Sequence, residues 1–206
     1  MVLPHPIYTH FGPKLPRTDA ERILGLPAGR RTLLFFGLIR EYKGLDILLQ
    51  AFDLLDERYQ LVIAGEPYGS FDKYQKLIDG GRAPADVHVF PDYIRDDEVK
   101  NYFSAADLTV LPYRSATQSG ISSVSNHFEV PMVVTDVGGL KETVGERGTG
   151  LVCDEPTPQC VAEAITRYFD DPALQERLHA GILAEKQRLS WSRFATDLTG
   201  FAEKLQ

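Results

Sequence analysis

The chain has 206 residues, 43% of them hydrophobic and 25% charged, with a net charge of -7. That suits one large α/β domain or two small ones. It sets nucleic acid and anionic membranes aside as first partners, because an acidic molecule repels polyanions and any anion site on it must be locally basic.

After an entry punctuated by Pro4, Pro6, Pro13 and Pro16, the apolar run TLLFFGL over residues 32–38 predicts a buried strand. Leu45, Leu48, Leu49, Phe52 and Leu55 then recur at the spacing of one helix stripe. The alternation repeats: QLVIAGE from Gln60, a helix over 71–78, VHVF from Val87, a helix through VKNYFSAA and the strand DLTVLPY from Asp107. VPMVVTD follows the segment 119–129, and GLVCD over 150–154 ends the series. Short apolar strands separated by helices call for parallel βαβ units, so the expected fold is an α/β, Rossmann-like parallel sheet of about six strands with helices on both faces.

Three helices are expected to close the chain. Thr157-Pro158 and Asp171-Pro172 each set an N-cap residue before proline at the first helical position, and Ser190 caps the third. The last carries Trp191, Phe194, Leu198, Phe201 and Leu205 at three- and four-residue spacing, a stripe more often core than partner surface. No linker or low-complexity tract interrupts the pattern, so residues 1–206 read as one domain.

In open parallel sheets ligands bind beyond the carboxyl ends of the strands, where strand order reverses. Two loops there are chemically loaded. GLIREYKG brings Arg40 and Lys43 to the crevice with Gly37 and Gly44, as an anion cradle or as solvated surface charges. PYRSATQSG ends in Ser119-Gly120 at a helix start, whose free N–H groups favour a phosphate and equally suit a plain cap. Gly138 and Gly139 offer a second nest of N–H groups, which a tight turn explains as well.

The G-x-G-x-x-G, G-x-x-x-x-G-K-[ST] and G-x-S-x-G motifs are missing, so a dinucleotide lacks its phosphate turn and a nucleoside diphosphate is preferred over NAD. His5, His10, His88, His127 and His179 stand at no ligand spacing, and Cys153 and Cys160 form no C-x-x-C pair, so neither a metal nor another cofactor is expected. Cysteine usage fits the cytoplasm. No apolar run approaches the roughly 20 residues of a bilayer span, and the N-terminus lacks signal-peptide order. A peripheral membrane contact of a larger parent stays open.

FFGLIREYKGLDILLQAF, VIAGE, DLTVLPY, VPMVVTDVGGLKETV and GLVCDEPTPQCVAEAI resemble, in this order, the C-terminal domain of retaining GT-B-type glycosyltransferases of the group 1 family. The resemblance runs from about Pro4 to the C-terminus. It implies a domain that binds the diphosphate of a nucleotide-sugar donor, facing an N-terminal acceptor-binding half. The opening VLPHPIYTHFG is similar to the crossover before that domain, so the sequence is expected to be half of a longer enzyme of hexosyltransferase type, inactive alone.

Carried over residue by residue, the family's phosphate contacts fall on Arg40 and Lys43, with Arg40 two positions later than the arginine of many relatives. Its base-binding segment falls on Pro91, Asp92, Tyr93 and Ile94. Two glutamates that many relatives carry fall on Ala116 and Val124, leaving Thr117 and Gln118 as polar contacts for sugar or ribose. No catalytic residue is assigned. That departure keeps two alternatives open, a degenerate binding or scaffold module and half of a nucleotide-sugar epimerase.

Overall fold

A computed structural model describes residues 4–203. Leu205 of the terminal stripe, and Val2 and Leu3 of the opening segment, lie outside the described residues.

Six strands form one parallel sheet: β1 (Arg31–Phe36), β2 (Tyr59–Ala64), β3 (Val87–Phe90), β4 (Leu108–Leu111), β5 (Met132–Thr135) and β6 (Gly150–Cys153). Their order is β3-β2-β1-β4-β5-β6, so strand order reverses between β1 and β4. Leu33 of β1 pairs with Leu61 of β2 on one side and Leu108 of β4 on the other. Both faces of the sheet are covered, which is why the strands read as unbroken apolar runs.

The pleat sorts β1 and β2 between the two covers. Leu33, Phe35, Leu61 and Ile63 join α2 (Leu45–Phe52), α3 (Asp72–Gly80) and α6 (Pro158–Asp170) in one core. Leu34, Phe36, Val62 and Ala64 meet α1 (Arg17–Leu24), α4 (Val99–Ala105) and α5 (Gly120–His127) in the other. The expected stripe of Leu45, Leu48, Leu49, Phe52 and Leu55 is buried throughout.

Helix α1 has no counterpart in the sequence reading. Prolines masked it, although Pro16 before it, Asp19 in its first turn and Gly25 after it are start and stop signals. Helices α6 and α7 (Pro172–Arg188) start as expected, with Thr157 Oγ1 accepting from the Cys160 amide at 3.4 Å and Asp171 Oδ1 from the Leu174 amide at 3.0 Å. Beyond α5, Glu129 adopts φ 58° and is tied to α7 by Lys186 Nζ at 2.6 Å.

The terminal stripe departs from expectation. Helix α8 (Trp191–Glu203) buries no residue, and Trp191 is 54% and Leu198 48% exposed. Periodicity identifies an apolar face but not what covers it, and among the described residues no helix or strand lies over this one.

Opposite the carboxyl edge of the sheet, Arg17 links the strand beginnings. Its guanidinium pairs with Asp107, donates to the Arg30 carbonyl at 2.7 Å and to Glu21 Oε1 at 2.7 Å. Asp107 Oδ2 accepts the amide of fully buried Thr32 at 2.7 Å. Removing the carboxylate leaves a buried N–H and a guanidinium short of partners. Asp107→Ala is therefore expected to cost about 3 kcal/mol in urea unfolding, against less than about 1 kcal/mol for Arg193→Ala, which breaks an exposed pair on α8.

Candidate functional site

Beyond Phe36 the chain turns at Gly37, and Ile39, 2% exposed, anchors the loop beside Pro67. A short 3-10 turn, Glu41–Lys43, follows. At Gly44 φ is 68°, and a Cβ there would lie 2.0 Å from the Pro112 carbonyl oxygen. Only glycine allows this approach. It presses the start of α2 against the end of β4 and turns Lys43 inward.

Lys43 is 8% exposed. Its Nζ lies 3.2 Å from where a Gly37 Cβ would stand and 5.8 Å from the centroid of the Tyr113 ring. Among the described residues no carboxylate pairs with it. Burial, and secondarily the charge of Arg40, lowers its pKa from 10.5 to about 8.

The loop after β4 is stapled to the loop after β1. The Arg114 amide donates to the Tyr42 carbonyl at 2.7 Å, and its guanidinium grips both oxygens of Asp46 at 2.8 and 2.5 Å. Tyr113, 2% exposed, accepts the Thr135 hydroxyl on its carbonyl at 2.5 Å, and burial pushes its phenol up to about 12. The phenol stays protonated and lies 3.3 Å from Ser119 Oγ. Engaged there, Ser119 does not cap α5 with its side chain, so the leading N–H groups of that helix keep no side-chain acceptor. Ile121 of α5 reaches within 3.3 Å of the same virtual Gly37 Cβ. A desolvated ammonium thus stands beside an uncapped helix start, two groups of one sign with no carboxylate of the described residues paired to the ammonium.

Gly37, Lys43, Ser119 and Gly120 are therefore brought together. Arg40 stands on the rim with its guanidinium 4.9 Å from the Tyr68 ring, lining an open hollow with Tyr68 and Lys73. Thr117 and Gln118 line a shallow hollow with Tyr42. Tyr93 and Ile94 are not brought to Lys43: they follow β3 at the sheet edge, Tyr93 68% exposed and Ile94 packed on the second core.

Of the two readings of Gly138-Gly139, the structure builds the tight turn. The Gly139 amide already donates to the Thr117 carbonyl at 3.0 Å and the Leu140 amide to Val137 at 3.2 Å, while a Cβ on Gly138 would stand 1.8 Å from the Ala116 carbonyl oxygen. The pair is a tight turn that seats the 115–118 loop. Val124 is 5% exposed within the second core, and Ala116 packs on a third cluster, so neither offers a polar group. Tyr113, Arg114 and Asp46 escaped the sequence reading. For Tyr113 and Arg114 the signal was the Pro-Tyr-Arg step just past β4 at the switch point. Among the described residues no group of three metal-ligand side chains occurs, and no helix is long and apolar enough to cross a membrane.

Comparison with known proteins supplies the family. The profile of the glycosyl transferases group 1 matches residues 16–182. A D-inositol 3-phosphate glycosyltransferase of Thermobispora bispora is 31% identical over 193 residues, which are 89% of this chain and 45% of that protein. The chain thus spans less than half the length of this curated relative. Sucrose-phosphate synthase from Thermosynechococcus elongatus superposes with a TM-score of 0.81 at 23% identity, over 100% of this chain and 52% of that one. The C-terminal domain of a glycosyl transferase group 1 family protein from Francisella tularensis superposes at 0.71 and 16% identity, over 87% of this chain and 93% of that domain. At these identities the two structures establish the fold.

The burial of Lys43 has a measurable sign. Below about pH 8 native and unfolded lysine are both charged and the desolvation penalty is complete; toward 10.5 the native lysine loses its proton first, so stability rises. Lys43→Met should abolish that rise and stabilise the unliganded chain at neutral pH by about 1 to 3 kcal/mol. Urea melts of both chains at neutral pH and near pH 10 check this; a destabilised Lys43→Met would mean that the ammonium is paired.

Proposed function

Because the chain belongs to the glycosyl transferases group 1, we propose that the cleft edge at Lys43 holds the diphosphate of a nucleotide-sugar donor. The chain then acts as the donor half of a retaining hexosyltransferase, with the acceptor bound by the remainder of the relatives' length. One observation carries the reading: an ammonium 8% exposed, with no carboxylate partner among the described residues, beside a helix start without a side-chain cap. A chain that desolvates a cation without pairing it has left the pairing to a ligand.

The chemistry follows from charge. When the bond from the anomeric carbon to the diphosphate oxygen breaks, its electron pair stays on the diphosphate. Lys43 and the α5 amides are then fixed positive groups waiting where that charge grows. The base is assigned to Tyr93 and Ile94, two strand spacings or about 10 Å from β1, which matches the reach of a nucleoside. Thr117 and Gln118 are assigned to ribose or sugar, and Arg40 to the outer face of the diphosphate. Transfer needs donor and acceptor held together, so no transfer is expected from this chain alone. We assign the parent to the cytoplasm, in keeping with the free cysteines Cys153 and Cys160.

A second reading, a binding module without transfer, is favoured by Ala116 and Val124, which supply no carboxylate where many relatives have one. Both readings require the diphosphate site. Titration calorimetry with UDP, GDP, ADP and NAD should find a nucleoside diphosphate preferred over NAD. Lys43→Ala should weaken that diphosphate roughly ten- to a hundred-fold, an effect that shrinks with salt, while nucleoside binding is nearly unchanged. Lys76→Ala, exposed on α3, is the control. Equal diphosphate binding by the two variants contradicts the assignment.

A further inference from the structure

The flank of α5 turned toward α7 carries a feature that the diphosphate does not use. Ser119, Ser122 and Asn126 recur at the spacing of one helix stripe, with Ser123 beside them. They line a crevice of about 280 Å3 whose other walls are the segment 4–8 and the end of α7. That segment is fixed by the Ile7 amide donating to the Leu189 carbonyl at 2.9 Å and the Tyr8 amide to Ser123 Oγ at 3.2 Å. Asn126 lines this crevice, 3% exposed, and its Oδ1 has no hydrogen-bond partner among the described residues.

A buried carboxamide oxygen left unpaired is costly, and native chains rarely keep one without a reason. Its neighbours are engaged elsewhere. The Ser122 hydroxyl donates to the Ser119 carbonyl at 2.6 Å and the Thr143 hydroxyl to the Gly139 carbonyl at 2.7 Å. Glu185 accepts from Nε and Nη2 of Arg188 at 2.7 Å each, so this pair brings no net charge to the wall and selects neither an anion nor a cation. A single water, about 30 Å3 of liquid, fills little of the space.

We propose that this crevice binds a neutral polyol ring of monosaccharide size, with vicinal hydroxyls paired to the Asn126 carboxamide. A vicinal diol offers donor and acceptor together and so satisfies both ends of the amide whichever way it is turned. Ser119 and Gly120 line one corner, which joins the crevice to the start of α5. The ring therefore has two sources, a free polyol or the glycosyl group of a donor held at that corner. Only the second rests on the proposed function.

Titrating the 15N-labelled chain separately with myo-inositol, glucose, UDP and UDP-glucose tests the site by NMR. Saturable shifts are expected at the Asn126 side-chain amide and at the Ser122 and Ser123 backbone, with a Kd on the order of millimolar for so small a ring. Asn126→Ala should weaken binding roughly tenfold; if it does not fold, the wild-type shifts decide alone. Shifts with inositol or glucose assign a free polyol, and shifts with UDP-glucose that UDP does not reproduce assign the donor's sugar. The proposal is overturned if none of the four moves the Asn126 amide, or if UDP alone moves it as far as UDP-glucose and neither polyol moves it. A polyol response without any UDP response upholds this site as one for a free polyol, and the diphosphate reading is then decided separately by the calorimetry with GDP and ADP.

Discussion

The contact between Gly44 and the Pro112 carbonyl governs the cleft edge. Parallel order brings β1 beside β4, but it does not decide how the two following loops meet. A Cβ at residue 44 would stand 2.0 Å from that carbonyl oxygen, so its lack lets α2 start against the end of β4. Lys43, one residue earlier, then has solvent on almost no side. Arg114 closes the arrangement from the other loop through Asp46 and the Tyr42 carbonyl. Gly138 repeats the device for the next loop, where the Ala116 carbonyl occupies the space of a side chain. Two close approaches between backbones therefore seat the loops on both sides of α5.

Such a site lowers the stability of the empty chain. A lysine held near a pKa of about 8 is a charge the fold has not compensated, and the Arg40 charge nearby adds to the cost. Functional sites are where such costs accumulate. The network at the opposite edge follows the other logic. There Arg17, Asp107, Glu21 and Thr32 satisfy one another and serve the fold alone. Arg17 at one end of the sheet thus has its anions supplied by the chain, whereas Lys43 at the other has no carboxylate partner among the described residues.

Much of the fold was legible because a sheet covered on both faces writes continuous apolar runs, and Leu33 to Phe36 could hardly be read otherwise. The loop after β1 was legible as a site from its position alone. Its interior was not. That Lys43 is buried and that Arg114 grips Asp46, 68 residues away, both depend on β1 lying against β4. No local pattern encodes such contacts. At 138–139 the tight turn, and not the nest, is what the fold builds, since the Gly139 amide is taken by Thr117, 22 residues earlier. The stripe of α8 shows the converse limit: its period was right and its burial was not.

The central claim is that Lys43 is a desolvated cation awaiting a diphosphate. NMR titration of the lysine side chains measures it directly, with the Lys43 signal assigned by Lys43→Met. The free chain should show one lysine titrating near 8, far below the ordinary 10.5. Saturation with whichever of UDP, GDP or ADP binds should return that lysine toward its ordinary value, because an anion in contact favours the charged form. A Lys43 that titrates near 8 and is unmoved by a bound nucleoside diphosphate, or that titrates ordinarily in the free chain, contradicts the account.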